Sequence, residues 1–365
     1  MVEQSKRGYL LLADISGYTS FLAKVELEHA HEILTDLLEV IVDKFKSFLT
    51  ISKLEGDAVF AYVDETKITR GEILLELIEN TYLAFRQRRD TSNRATICSC
   101  RACQAMPSLE LKFFAHYGSF MVQHVAGTQE LVGSDVNLVH RLMKNHIFEK
   151  TGWNAYSLFT KHSMDSLNLE IEDAHEQDES YEHLGNIKTI TINLAPRYEM
   201  LAASRLHYLS DEDADAVVTH TFDLSDVELW QILTSTEILT QMNSENTWSV
   251  NRLIGGRTSV GAVNHCLHGK GLMRLTIVDW HPFTYFTCHG VDGNLRWYQL
   301  NEIQPSPSNS GSILQWRWKA DMGMPNWLNH LLAVLIVKKV GRDFCKMVEE
   351  YIAKIQQPSF KAETI

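Results

Sequence analysis

Apolar residues along this chain recur in two different periods, and the switch between them predicts the elements. Tyr9, Leu10, Leu11, Leu12 and Ala13 form a continuous run that reads as a buried strand ending at Asp14. Between 25 and 49, Ile33, Leu37, Leu38, Ile41, Phe45 and Phe48 fall at helical spacing. Residues 50–63, TISKLEGDAVFAYV, predict two short strands about a turn near Gly56. A second helix is expected over 68–89, and a second hairpin over 109–127 with Gly118 at its turn. A third helix is expected over 134–147, with Ser134 as candidate N-cap. The order β-α-β-β-α-β-β-α implies a helix-backed antiparallel sheet of the ferredoxin-like, split βαβ type.

The acidic stretch 170–183 reads as a surface segment, and a strand is expected at 186–194. Residues 206–216, LHYLSDEDADA, are the expected boundary between a first domain, 1–205, and a second, 206–365. After it come one strand, one helix, six further strands and a long closing helix from Pro325 to Ile355. Trp230, Trp248, Trp280, Trp297, Trp316 and Trp318 crowd this half. A long strand run closed by one helix implies a curved sheet gripping that helix, often around a cavity. The fold class expected for the whole chain is therefore α+β.

Composition narrows the function classes. The hydrophobic and charged fractions, 45% and 22%, are those of an ordinary globular chain. A net charge of -12 argues against a general nucleic-acid-binding surface. The longest apolar run near the C-terminus, LLAVLIV at 331–337, is too short to span a bilayer, and the N-terminus lacks the pattern of a signal peptide. A cytoplasmic protein is expected. Six cysteines in 365 residues do not suggest a disulfide framework.

Three groups of residues could carry chemistry. Asp14 ends the first strand and Asp57 follows Gly56 in the next hairpin turn. In a split βαβ sheet these two points can lie side by side. Paired carboxylates there would repel unless protonated or bridged by a hard cation such as Mg²⁺ or Mn²⁺; the alternative is a helix cap and a turn residue. Asn137 and Arg141, four apart on a predicted helix, share a face. An amide beside a guanidinium suits a ribose and a phosphate, and the alternative is a solvated face. Cys98, Cys100 and Cys103 put three thiols into CSCRAC. Structural Zn²⁺, with a fourth ligand from His116, His124 or a partner subunit, is one reading; reduced thiols and redox sensing are the others.

Together ADISGYTSF, KLEGDAVFAY and VGSDVNLVHRL resemble, in order and separation, the motifs of class III nucleotide cyclases over about residues 8–194. DISGYT, EGDAVFAY and the cysteine cluster look closest to a little-characterised bacterial branch. The resemblance implies that Asp14 and Asp57, helped by the Ile15 carbonyl, ligate two Mg²⁺ or Mn²⁺ ions. It implies that Asn137 orients the ribose and Arg141 stabilises charge on the α-phosphate. Lys53 and Glu130 fall where adenylate cyclases place their base-reading pair, which favours ATP over GTP. Such sites form between two catalytic domains, so one domain per chain implies a homodimer in a signalling role. One position departs from the family: Glu182 stands about where a triphosphate-binding lysine is usual, with Lys188 and Lys144 nearby in sequence. The second half, over about 215–356, resembles the START-like, Bet v 1-type (SRPBCC) helix-grip domains, which implies an apolar small molecule in a cavity. The expected function is cyclisation of ATP to 3′,5′-cyclic AMP and pyrophosphate under control of that ligand. The alternative is a degenerate nucleotide sensor whose main task is small-molecule binding. In the second half, His265, His268 and His281 read as strand-edge or turn residues rather than ligands.

Overall fold

The computed structural model describes residues 5–355 apart from 24, 96–100, 126–127, 204–206, 244–245, 254–255, 269–270, 308–310 and 322–325. The chain divides into two compact units, Met1–Ala203 and Ser204–Ile365. Among the described residues no helix is long and apolar enough to cross a membrane.

The first unit runs β1 (Lys6–Ser16), α1 (Tyr18–Leu22), α2 (Leu27–Lys46), β2 (Thr50–Glu55), β3 (Ala58–Asp64), α3 (Glu72–Ala95), α4 (Arg101–Ala105), β4 (Glu110–Val125) and β5 (Thr128–Val132). It continues through α5 (Ser134–Leu142), α6 (Ile147–Thr151), β6 (Tyr156–Thr160), α7 (Lys161–Ser166), β7 (His175–Tyr181), β8 (Gly185–Asn193) and α8 (Leu194–Ala203). The sheet order is β2-β3-β1-β4-β6-β8-β7, with β5 paired to β4. Its first four strands have the split βαβ order, with β1 in the middle, antiparallel to both β3 and β4.

Both faces of this sheet are covered, which is why β1 reads as an unbroken apolar run rather than an alternation. Leu10, Leu12, Phe60 and Phe114 pack with Val136, Val139 and Leu142 of α5. On the other face Phe113 meets Phe45 of α2, ring centroids 6.3 Å apart.

Three local expectations change. Gly118 is not a turn: β4 is one strand of 16 residues, and Gly118 faces Gly8 in its middle. A Cβ there would lie 2.6 Å or less from three side-chain atoms of Asp135, so glycine is what lets α5 approach the sheet. Asp135 uses that approach to accept a hydrogen bond from the Ser119 amide at 2.7 Å. The acidic stretch is partly strand, because its residues alternate: Glu176 and Asp178 point outward, whereas Glu179 and Tyr181 are buried. Buried Glu179 accepts from the His146 amide at 2.8 Å and lies 2.9 Å from its Nδ1. Finally, Gly133 rather than Ser134 occupies the N-cap position of α5.

The second unit is β9 (Ala216–Phe222), α9 (Asp226–Thr234), α10 (Thr236–Met242), β10 (Asn246–Arg252), β11 (Val263–His268), β12 (Gly271–His281), β13 (Tyr285–Asp292), β14 (Leu295–Pro305), β15 (Ser312–Ala320) and α11 (Asn326–Ile355). Its sheet has seven antiparallel strands in the order β10-β11-β12-β13-β14-β15-β9. The single expected helix after β9 is two, because Ser235 ends α9 in extended backbone and caps α10, accepting from the Ile238 amide at 3.2 Å. The 30-residue α11 packs on β9 and β15. Gly341 permits this: a Cβ there would sit 2.9 Å from Val218 and 3.0 Å from the Trp316 ring.

Candidate active site

Asp14 is a strand residue, not a helix cap. It continues the alternation of Leu10 and Leu12, which places it on the α5 side of the sheet. Across the ladders it pairs with Ala58 of β3 and Lys112 of β4. The neighbouring Ile15 amide donates to the Asp57 carbonyl at 3.2 Å, so the β2–β3 turn is tied to the end of β1. Gly56, at φ +66°, makes that turn, and Gly17, at φ +91°, turns the chain out of β1.

The Asp57 charge acts on Asp14. Burial, and then the Asp57 charge, raise the Asp14 carboxyl from 3.8 to about 6, with Lys112 acting in the opposite direction. Burial raises Asp57 as well. Among the described residues no group of three or more His, Cys, Asp or Glu side chains is placed to hold a metal. Asp14 and Asp57 still form a hard, oxygen-only pair whose mutual repulsion a divalent cation would relieve. That donor chemistry fits Mg²⁺ or Mn²⁺, which complete their shells with water and phosphate.

Asn137 and Arg141 lie four residues apart on α5, both exposed. Among the described residues neither side chain has a partner, so the amide and the guanidinium are available to a ligand or a second chain. Lys53 on β2 pairs with Glu55 at 2.6 Å. Glu130 is exposed on β5, in register with Gln123. β2 and β5 are neighbours, so the elements carrying Lys53 and Glu130 are brought together. Glu182 is fully out in the β7–β8 turn beside His183, at 3.4 Å. Lys188 on β8 is exposed opposite Asp178, and Lys144, just beyond α5, is exposed.

Of the cysteine cluster, Cys98 and Cys100 lie outside the described residues; Cys103 is buried in α4 and in no disulfide.

Three residues at this site escaped the sequence reading. Lys112 stands beside Asp14, and its ammonium lies 5.3 Å from the centre of the Tyr156 ring. Burial holds that ammonium below its ordinary range, while Asp14 pulls it up. Glu55 also reaches His140 Nδ1 at 3.2 Å, and the His140 ring sits 4.8 Å from that of Phe60. His140 lies between Asn137 and Arg141 in sequence, so Glu55 links the Lys53 hairpin to α5. The alternation in LKFFAH was the one signal that could have put Lys112 on the Asp14 face; its pairing partner is a matter of long-range register.

A family model described as "Protein of unknown function (DUF2652)" matches residues 34–151, which include Lys53, Asp57, Glu130, Asn137 and Arg141. A curated protein of Mycobacterium tuberculosis (strain ATCC 25618 / H37Rv), "Uncharacterized protein Rv2561/Rv2562", is 33% identical over 114 residues, 31% of this chain and 52% of that one. The chain thus spans about half the length of the curated relative it matches. Among solved structures, the guanylyl cyclase Cya2 aligns over 52% of this chain and 93% of its own, at 14% identity and a TM-score of 0.43. The adenylyl cyclase CyaB from P. aeruginosa aligns over 53% and 96%, at 16% identity and a TM-score of 0.38. A bacterial light-regulated adenylyl cyclase aligns over 53% and 54%, at 14% identity and a TM-score of 0.41. These are similarities to cyclase catalytic domains over about half of this chain, at low identity.

Proposed function

We propose that the first unit is a metal-dependent nucleotide cyclase that converts ATP to 3′,5′-cyclic AMP and pyrophosphate in a homodimer. The observation that carries this reading is the meeting of Asp14 and Asp57 at the end of β1, combined with Asn137 and Arg141 on α5, whose side chains have no partner among the described residues. The order of the motifs in the sequence supports the same reading. Asp14, Asp57 and the Ile15 carbonyl would hold Mg²⁺ or Mn²⁺. Bound there, the metal supplies charge neutralisation of the triphosphate and a lowered pKa for the ribose 3′-hydroxyl. The 3′-oxygen forms a bond to the α-phosphorus as the bond to the pyrophosphate oxygen breaks.

Asn137 of one subunit holds the ribose by its amide, and Arg141 donates to the α-phosphate oxygens where charge grows in the transition state. Each catalytic centre combines these two with the aspartates of the other subunit. Lys53 donates to an adenine ring nitrogen and Glu130 accepts from its amino group; the Glu55 ion pair keeps Lys53 oriented. GTP, with its carbonyl at the same edge, is the weaker substrate.

The second unit takes a small molecule and shifts the dimer between arrangements with open and closed catalytic centres.

Purified protein incubated with ATP and Mn²⁺ should form cyclic AMP, and Asp57→Ala should not. Formation of neither cyclic AMP from ATP nor cyclic GMP from GTP above the Asp57→Ala control, across metals and candidate ligands, would remove the enzyme reading. Metal-dependent ATP binding without turnover would then favour a nucleotide sensor, for which exposed Glu182 in place of a cation is the supporting observation.

A further inference from the structure

Base selectivity at a site read by Lys53 depends on where its ammonium stands, and the backbone alone does not fix that. β2 lies at the end of the sheet order and is hydrogen-bonded on one side, to β3. Its register slips between Ile51 and Lys53, so the ladder is interrupted just before the lysine. Beyond the break Lys53 stands opposite Phe60 and Glu55 opposite Ala58, which puts both side chains on the α5 side of the sheet.

From there a chain of contacts runs inward. Glu55 faces both of its neighbours: Oε1 lies 2.6 Å from Lys53 Nζ, and Oε2 lies 3.2 Å from His140 Nδ1. The His140 ring rests against Phe60, centroids 4.8 Å apart, and Phe60 is wholly buried. Side-chain exposure rises along the chain, from 27% at His140 through 30% at Glu55 to 41% at Lys53. An anchored ring therefore holds a carboxylate, and the carboxylate holds a lysine that reaches solvent.

Half-exposed ion pairs add little to stability, so two in series on an edge strand are better explained by what they position. An ammonium has three N–H donors, and Glu55 leaves some of them for a ligand. The helix that carries His140 also carries Asn137, one turn earlier, and Arg141, the next residue. Lys53 is thus held in reference to the helix proposed to bind ribose and α-phosphate. The covalent bonds of a nucleotide set the span from its base edge to its α-phosphate, so a fixed reference selects which base atom the ammonium meets. Adenine presents a bare nitrogen at N1 and an amino group at C6, whereas guanine presents N1–H and a carbonyl oxygen. An ammonium held at N1 suits adenine and meets the guanine N1–H donor to donor. An ammonium free to swing reaches the guanine carbonyl and accepts both bases.

We propose that His140 is a positioning residue that, through Glu55, holds Lys53 at the N1 edge of adenine and so sets a preference for ATP over GTP. The proposal rests on the reading of the first unit as a nucleotide site, and it does not require turnover.

The test compares binding of the α,β-methylene analogues of ATP and GTP, which cannot be cyclised, to the full chain by calorimetry in Mn²⁺. His140→Phe keeps a ring on Phe60 and loses the nitrogen. His140→Asn keeps a nitrogen near the place of Nδ1 and loses the ring. His140→Phe should cut the ATP-to-GTP affinity ratio about tenfold, weakening the first analogue and strengthening the second. His140→Asn should keep the ratio within about threefold of wild type. Glu55→Met, which frees the lysine directly, gives the same readout if His140→Phe does not fold, and combining the two should change nothing further. In turnover assays the loss should appear as a raised KM for ATP, with kcat within about twofold. An unchanged ratio in His140→Phe overturns the proposal. An equal loss in His140→Asn does so too, because ring packing is then the cause, as does a loss confined to kcat. A wild type that binds the analogues but forms no cyclic product removes the cyclase reading alone and leaves the ratio to decide this one. A wild type that binds neither analogue, or does not prefer that of ATP, overturns the base-reading role of Lys53 and this proposal with it.

Discussion

Asp14→Asn should make the protein more stable while removing the proposed cyclase activity. Ionised Asp14 is held in a half-buried place beside Asp57, which raises its carboxyl from 3.8 to about 6. That difference of roughly two pKa units corresponds to about 3 kcal/mol, at 1.36 kcal/mol per unit. Solvent screening at a half-buried position reduces the recoverable part to about 1–2 kcal/mol. The folded value is the higher one, so the folded state binds more protons between 3.8 and 6. Stability from this group is therefore present below the unfolded value and is lost as pH rises through about 6. Asparagine keeps the shape and carries no charge, so its advantage over aspartate should widen from pH 5 to pH 7.5. Urea unfolding in EDTA at both pH values measures this. Mn²⁺ should reverse the ranking in part, stabilising the wild type by about 1.4 kcal/mol at ten times the dissociation constant and leaving the variant unmoved. An Asp14→Asn variant less stable than wild type at pH 7.5 in EDTA, or an equal difference at both pH values, would refute the account of strained carboxylates at this site.

Four further outcomes follow from the same structure. Arg141→Ala should lower cyclase turnover about 10²–10³-fold in steady-state assays with little change in unfolding free energy, because its exposed side chain has no partner within the described chain. Glu182→Lys, at an exposed turn, should tighten ATP binding by calorimetry roughly tenfold if the missing cation limits affinity, as one added charge-assisted hydrogen bond predicts. Gly118→Ala should cost about 1–3 kcal/mol in denaturant unfolding, since its Cβ would meet Asp135 and displace the Ser119 hydrogen bond. Burial lowers the His116 pKa from 6.5, against the pull of Asp135 and with His162 nearby. Its neutral form is then the folded one, and stability should fall as pH drops below about 6.5; His116→Gln should flatten the slope of unfolding free energy between pH 7.5 and 5.5.

The apolar runs of β1 and β3 and the 3.6-residue spacing of α2 announce a covered sheet from local pattern alone, since period and length are properties of a short window. Gly56 marked its turn for the same reason. Gly118 misled because glycine has two uses: it permits a turn, and it permits close approach. Which one applies depends on Asp135, which is distant until α5 folds back on β4. The acidic stretch misled because its charge is local information, while the pairing of β7 with β8 that buries Glu179 is not.

The candidate site divides along the same line. Asp14, Asp57, Asn137 and Arg141 were legible as residue types at telling intervals, because motifs are short. The contact between Ile15 and Asp57, the placing of Lys112 beside Asp14, and the bridge from Lys53 through Glu55 to His140 come from strand register and helix docking. In the second half, composition announced a tryptophan-rich interior. Only the register of β14 against β13 and β15 set Asn301 between Phe286 and Trp316 and left its amide nitrogen unpaired. Hydrophobic pattern is encoded residue by residue and survives in the bare chain. A polar group's partners are set by which strands lie side by side, and that is known only when the sheet is closed.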